Sequence, residues 1–128
     1  MATYGYPYVM GAAKLDVQAV SRLCKALGDE TRLRIIALLA HGELCVCHIQ
    51  DALELSQPNV SRQLGILRAA RLVADRREGS WVYYHLLPQE STECERLFQS
   101  LVQGFAKQGV LRRDVEHLVK VRGPRACR

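Results

Sequence analysis

The sequence predicts a mainly α-helical fold that carries one two-stranded β-hairpin. Apolar residues recur every three or four positions through residues 14–70, which is the spacing of amphipathic helices. The spacing changes to two in residues 72–86, where Glu78 and Gly79 mark a turn between two short alternating runs. Helical spacing returns after Pro88. Two short helices followed directly by a hairpin are typical of a winged helix-turn-helix, and we expect that fold.

Length and composition indicate one folded domain with short tails. The 128 residues suffice for a single domain, and the hydrophobic fraction of 48% is that of a globular chain rather than a disordered one. We expect a flexible N-terminal arm over residues 1–13, the folded domain over residues 14–121 and a mobile basic tail over residues 122–128. Because a chain this short buries only a modest core, we expect a dimer.

The charge balance favours an acidic partner. Lys and Arg number 18 against 13 Asp and Glu, a formal net charge of +5, as is common in nucleic-acid-binding proteins. No apolar run reaches the roughly 20 residues needed to span a bilayer, and the start of the chain lacks a secretory-signal pattern. We therefore expect no membrane partner and a cytoplasmic location. There the five cysteines stay reduced, and clustered ones indicate metal or redox chemistry.

Capping residues divide residues 14–70 into four predicted helices. Gly28 ends the first helix, and Asp29 is a suitable N-cap for the second. Ser56 is a suitable N-cap for the fourth, with Pro58 in its first turn, where a missing N–H does little harm. The expected helices span residues 14–27, 30–40, 45–54 and 57–70.

The fourth helix combines an apolar stripe with polar outer faces. Val60, Leu64 and Leu67 form the stripe, and the other faces are rich in Ser, Gln, Asn and Arg. Amide and hydroxyl side chains suit base edges in the major groove, and arginine suits guanine or phosphate. Arg76 and Arg77, near the hairpin tip, would reach the DNA backbone or the minor groove. The alternative explanation is a solvated polar face that binds nothing.

Three motifs between residues 23 and 86 carry a family resemblance: ALGDETRLRIIALL, ELCVC and LSQPNVSRQLGILR. They resemble the ArsR/SmtB family of bacterial metal-sensing repressors, and ELCVC resembles the inducer-binding segment of its arsenic-responsive members. The resemblance implies a homodimeric repressor of an arsenic-resistance operon and not an enzyme. It implies double-stranded operator DNA as partner and arsenic(III) or antimony(III) as the inducer that releases it, with no organic cofactor.

The resemblance also places DNA contacts on the fourth helix and on the hairpin. Gln63 departs from the family pattern, which usually has His at that position. Because Gln can still hydrogen-bond a base or a phosphate, we retain it as a weak contact. The expected DNA-binding residues are Ser56, Gln57, Asn59, Ser61, Arg62, Gln63, Arg76 and Arg77.

Cys45 and Cys47 are the expected inducer ligands. Side chains two positions apart on a regular helix point roughly 200° apart, so Cys45 would join the core and Cys47 would face outward. Both sulfurs could bind one ion only if the first helical turn were distorted. We expect that distortion to unwind the helix start and displace the DNA-reading helix. Thiolates are soft ligands, which suits arsenic(III) and antimony(III).

A three-coordinate metalloid centre needs a third donor, which the ELCVC segment lacks. Family members of this type often have a third cysteine where this chain has Gln50. Cys24, Cys94 or Cys127 could supply the missing sulfur. Cys24 and Cys94 lie on apolar helical stripes, where packing is the simpler explanation, and the inducer itself could also fill the position.

Four rival functions stay open. One is a pure protein-interaction module, which would leave the polar fourth helix and the basic hairpin tip unexplained. A redox- or persulfide-sensing repressor would form a disulfide in place of a metalloid bond, although cysteines one residue apart make a strained pair. A zinc- or cadmium-sensing repressor would need further ligands. Asp114 and His117 lie where some family members bind zinc, but a single His there favours a solvated pair. A small thiol enzyme would need a catalytic base at a fixed spacing, which we do not find.

Overall fold

The computed structural model describes residues 17–105 and 108–122, which form six helices and three strands. The predicted N-terminal arm and residues 123–128 of the predicted tail lie outside the described residues. No helix in the described ranges is both long enough and apolar enough to cross a membrane. The elements are α1 (Val17–Leu27), α2 (Glu30–Leu39), β1 (Leu44–Cys45), α3 (Val46–Leu53), α4 (Gln57–Ala69), β2 (Val73–Glu78), β3 (Trp81–Leu86), α5 (Thr92–Phe105) and α6 (Gly109–Arg122).

The apolar stripes of the helices meet in one core. Ile35 of α2, Ile49 of α3 and Leu64 of α4 are fully buried within it. Phe98 of α5 and Leu118 of α6 belong to the same cluster, so both C-terminal helices pack on the helices that precede the hairpin. The core thereby fixes the orientation of α3 and α4 relative to the rest of the chain.

Both predicted N-caps are present. The Asp29 carboxylate accepts a hydrogen bond from the Arg32 backbone N–H at 3.1 Å, and the Ser56 hydroxyl accepts one from the Asn59 backbone N–H at 3.3 Å. Each bond satisfies a donor that a helix start leaves without an intrahelical partner. The caps therefore set where α2 and α4 begin, as the sequence predicted.

The predicted hairpin is confirmed, with its turn one residue later than expected. Strands β2 and β3 pair antiparallel, with Val73 opposite Leu86 and Glu78 opposite Trp81. Glu78 is therefore a strand residue, and residues 79 and 80 form the connection. Gly79 has a φ of 64°, which a two-residue hairpin turn requires and which glycine adopts without steric cost.

The short strand β1 was not predicted. Leu44 and Cys45 pair antiparallel with Tyr84 and Tyr83, so the sheet has three strands in the order β1-β3-β2 rather than two. Two residues are too few to show an alternating pattern, and the sequence gives no local signal for them. As a consequence α3 begins at Val46, one residue after the expected start, and Cys45 belongs to the sheet.

Helix α6 docks against α2 and α3 through polar contacts. Asp114 is only 4% exposed and accepts two hydrogen bonds from Arg34, at 2.8 and 2.9 Å. The carboxylate raises the pKa of Arg34 above its ordinary value. His117 Nδ1 lies 2.9 Å from the backbone oxygen of Ala52, at the end of α3. The expectation that Asp114 and His117 form a solvated pair is therefore wrong.

Candidate functional site

The two clustered cysteines meet at the junction of β1 and α3. Cys45 is the N-cap of α3 with extended backbone angles, φ −72° and ψ 144°, and Cys47 lies in the first helical turn. Their Sγ atoms are 2.9 Å apart. The divergence expected of two residues on a helix does not apply, because Cys45 precedes the helix. The expectation that the first turn must be distorted before the sulfurs can meet is therefore wrong.

Burial and redox state differ between the two sulfurs. Cys45 is 2% exposed and carries a free thiol, whereas Cys47 is partly buried. Cys47 is disulfide-bonded in this structure. Only the reduced protein can offer both sulfurs to one ion, because the thiolate is the metal-binding form of cysteine.

The described residues bring two sulfurs together and supply no third ligand. Among them there is no group of three or more His, Cys, Asp or Glu side chains placed to hold a metal ion. Cys94 is 3% exposed and belongs to the core cluster with Phe98, and Cys24 is exposed on α1. Neither joins Cys45 and Cys47 within the described part of one chain, and the third ligand stays a prediction. Cys127, the remaining candidate, lies outside the described residues.

The polar face of α4 is ordered by hydrogen bonds between its own side chains. Gln57 Nε2 donates to the Ser61 hydroxyl at 2.7 Å, and Arg62 Nη2 donates to Asn59 Oδ1 at 3.1 Å. Ser56, Gln57, Ser61 and Arg62 are exposed and Asn59 is half-buried. Five of the expected DNA-binding side chains therefore lie together on one exposed helical surface.

Gln63 lies one helical turn after Asn59 on α4, and its side chain is turned toward the protein interior. It is 8% exposed, and its Oε1 accepts a hydrogen bond from Arg32 Nη1 at 2.9 Å. A buried amide that is bonded to the protein interior cannot also reach a base edge. The expectation that Gln63 contacts DNA is therefore corrected, and Arg32 is a residue that sequence reasoning missed.

The two hairpin arginines have different surroundings. The Nε–H of Arg76 is shared between the two carboxylate oxygens of Glu43, at 3.0 and 2.9 Å, and its Nη2 donates to Glu43 Oε1 at 2.8 Å. Its Nη1 donates to Glu78 at 3.3 Å, and its guanidinium lies 4.6 Å from the Tyr83 ring centre. The bonds from Arg76 hold the pKa of Glu43 below its ordinary value. Arg77 is the next residue along β2, so its side chain lies on the other face of the hairpin. Arg77 is exposed and stays a predicted wing contact, whereas Arg76 is held by Glu43, a partner that sequence reasoning missed.

A helix-turn-helix with a polar, exposed second helix, followed by a β-hairpin, defines the winged helix-turn-helix class of DNA-binding proteins. A model of bacterial regulatory proteins of the arsR family matches residues 29–75. The chain is 43% identical over 132 aligned positions to the arsenic resistance transcriptional regulator ArsR1 of Pseudomonas putida, with 99% of each chain covered. It is 43% identical over 99 positions to the arsenical resistance operon repressor of Escherichia coli, covering 68% and 85%.

The chain therefore belongs to the arsR family of bacterial regulatory proteins, which are DNA-binding transcriptional regulators and not enzymes. Solved structures agree with the fold. HlyU from Vibrio cholerae has a TM-score of 0.61 at 35% identity, covering 70% of this chain and 94% of HlyU. The homodimeric winged helix-turn-helix domain of Mb0332 from Mycobacterium bovis has a TM-score of 0.58 at 36% identity, covering 81% and 85%. The predicted fold class and family are confirmed.

Proposed function

We propose that this protein represses an arsenic-resistance operon and leaves its operator when trivalent arsenic or antimony binds Cys45 and Cys47. The observation that carries the proposal is the 2.9 Å separation of the two sulfurs at the start of α3, the helix that leads into α4. The names of the relatives support the arsenic-responsive function. An antimony-specific repressor, AntR, has a similar fold, with a TM-score of 0.59 at 26% identity, covering 84% of this chain and all of AntR.

The donor set favours a metalloid over zinc. Two sulfurs suit a soft, three-coordinate centre whose third position is filled by solvent or by a substituent of the inducer. A methylated arsenical, which leaves two positions for sulfur, fits two thiolates directly. Structural zinc sites use four protein ligands, and the described residues supply no such group. We therefore expect this site to bind arsenic and antimony as inducers in preference to zinc and cadmium.

We expect release of the DNA to follow from a small increase in the distance between the sulfurs of Cys45 and Cys47. An inducer atom that both thiolates bind would replace the direct 2.9 Å contact between the Cys45 and Cys47 sulfurs with two bonds to one shared centre, so the sulfurs would move apart. That motion would move β1 relative to α3 and change the position of α4 in the fold. The first turn of α3 stays wound.

A homodimer amplifies such a displacement. The two recognition helices of a helix-turn-helix dimer must match successive major grooves, which lie roughly 34–36 Å apart. We assign α4 as the recognition helix, with Ser56, Gln57, Asn59, Ser61 and Arg62 as its DNA contacts and Arg77 as the wing contact. A tenfold loss of operator affinity corresponds to about 1.4 kcal/mol of coupling between the thiol site and the DNA.

Titration of the operator complex tests the proposal. Fully reduced protein bound to its operator is titrated with arsenite, antimonite, methylarsenite, zinc and cadmium, and released DNA is recorded by fluorescence anisotropy. We expect arsenic and antimony compounds to release the DNA and zinc to leave it bound. The double variant Cys45→Ser/Cys47→Ser should bind the operator as the wild type does and stay bound in arsenite.

Cys24→Ser provides the matched control, since Cys24 is an exposed thiol on α1. It should behave as the wild type. Release of the double variant by arsenite would show that the inducer binds elsewhere. Mass spectrometry after peroxide treatment tests the alternative of a redox-sensing repressor. If a disulfide forms and releases the operator, and arsenite has no effect on the reduced protein, the thiols are redox sensors.

A further inference from the structure

Arg32 connects three helices through one guanidinium. It lies in the first turn of α2, where the Asp29 carboxylate holds its backbone N–H. Its Nε donates to the backbone oxygen of Ala26 at 2.6 Å and its Nη2 to that of Lys25 at 3.3 Å, at the end of α1. Its Nη1 donates to Gln63 Oε1 of α4 at 2.9 Å. Every nitrogen of this side chain is thus directed at a protein acceptor.

The network continues from Gln63 to the exposed face of α4. Gln63 Nε2 lies 3.5 Å from Asn59 Oδ1, and the same oxygen accepts a hydrogen bond from Arg62 Nη2 at 3.1 Å. Asn59 and Gln63 are four positions apart and therefore neighbours on one helix. A continuous polar chain thus leads from the end of α1 to two of the proposed DNA contacts.

On the basis of the proposed DNA-binding function, we propose that Arg32 is a positioning residue for the recognition helix that acts through Gln63 and does not touch DNA. The planar guanidinium makes bonds of fixed geometry, which a lysine ammonium cannot reproduce. Gln63 is 8% exposed, so an unbonded amide there would be costly and its rotamer is set by Arg32. Arg32 thereby fixes the orientation of Asn59 and Arg62 before DNA arrives.

The alternative role for Arg32 is a direct phosphate contact, and the two roles differ in salt dependence. Each phosphate contact contributes nearly one unit to the slope of the logarithm of DNA affinity against the logarithm of salt concentration. A positioning residue contributes nothing to that slope, because it neutralises no phosphate. It changes the ratio of operator affinity to non-specific affinity.

The experiment compares Arg32→Met, Gln63→Leu, the double variant and Gln63→Glu with the wild type. Operator affinity, affinity for an unrelated duplex, the salt slope and the thermal midpoint are measured for each protein. We expect each single variant to lose about tenfold in operator affinity, with non-specific affinity and salt slope unchanged. The double variant should lose no more than either single variant. Gln63→Glu keeps an acceptor for Arg32 but has no donor for Asn59, so it should lose at least as much operator affinity as Gln63→Leu.

Three results overturn the assignment. A salt slope reduced by about one in Arg32→Met would make Arg32 a phosphate contact. Losses that multiply in the double variant would mean that Arg32 and Gln63 act independently. Operator affinity unchanged in Arg32→Met would remove any role for the network. If Arg32→Met does not fold, Arg32→Lys is measured in its place by the same criteria, because a lysine ammonium cannot reproduce the bonds of the guanidinium. A wild type that binds no duplex would overturn the proposed function and this role together.

Discussion

The Glu43 carboxylate accepts hydrogen bonds from Nε and Nη2 of Arg76, at 2.8–3.0 Å, and thereby ties the hairpin to the segment that carries Cys45. Glu43 precedes β1, and Cys45 pairs with Tyr83 of β3. The wing and the thiol pair are therefore in direct structural contact through one short strand. A wing arginine that is bound to a carboxylate is not available to a phosphate unless that ion pair opens.

The first prediction concerns the Glu43–Arg76 pair. Glu43→Gln should raise DNA affinity a few-fold and steepen the salt slope by up to about one unit, because Arg76 then keeps only its exposed ion pair with Glu78, which a phosphate can displace. Fluorescence anisotropy at several salt concentrations measures both quantities. Glu116→Gln is the matched control, since it removes an equal charge from an exposed pair with Arg112 on α6. Equal affinity in Glu43→Gln and the control would mean that Arg76 stays on the wing surface regardless of Glu43.

The second prediction is a pH dependence of the same pair. Arg76 lowers the pKa of Glu43. His85, whose Nδ1 is 3.5 Å from Glu43 Oε2, makes a smaller contribution in the same direction. A carboxyl group whose pKa is lowered by folding stabilises the fold above its unfolded pKa, and this contribution is lost as pH falls through the folded pKa. The thermal midpoints of the wild type and Glu43→Gln should therefore differ by a constant amount above about pH 5 and converge towards pH 3. A difference in thermal midpoint that stays constant down to pH 3 would contradict this prediction.

The third prediction concerns Arg62 on the exposed face of α4. Arg62→Ala should lower operator affinity about tenfold or more and leave the thermal midpoint nearly unchanged, because an exposed arginine contributes to recognition rather than to the core. Arg96→Ala, an exposed arginine on α5, is the control and should bind as the wild type does. Unchanged operator affinity in Arg62→Ala would remove Arg62 from the DNA interface.

The fourth prediction concerns the buried pair that docks α6. Asp114→Ala should destabilise the protein by about 3 kcal/mol in urea unfolding, because Arg34 loses a partner whose side chain is only 5% exposed. The double variant Arg34→Met/Asp114→Leu should recover most of that loss, since it leaves no unpaired charge. A double variant as unstable as Asp114→Ala would mean that packing, rather than charge, sets the cost.

Local signals were enough for much of the fold. The apolar spacing predicted α2, α3 and α4 to within one or two residues, and Asp29 and Ser56 predicted two helix starts. These features depend on residues three or four positions apart, which interact whatever the rest of the chain does. The hairpin followed from period-two alternation, whereas Cys45 was expected in the third helix and lies in β1.

Contacts between distant residues could be decided only by the tertiary structure. Arg32 and Gln63 are 31 positions apart, Glu43 and Arg76 are 33 apart, and Arg34 and Asp114 are 80 apart. Each of these side chains has a local explanation as a solvated polar group, and only the packing of the core shows which acceptor it meets. The strand β1 exists because β3 lies beside it. That pairing holds Cys45 in extended backbone, and it is why the sulfurs of Cys45 and Cys47 meet instead of diverging around a helix.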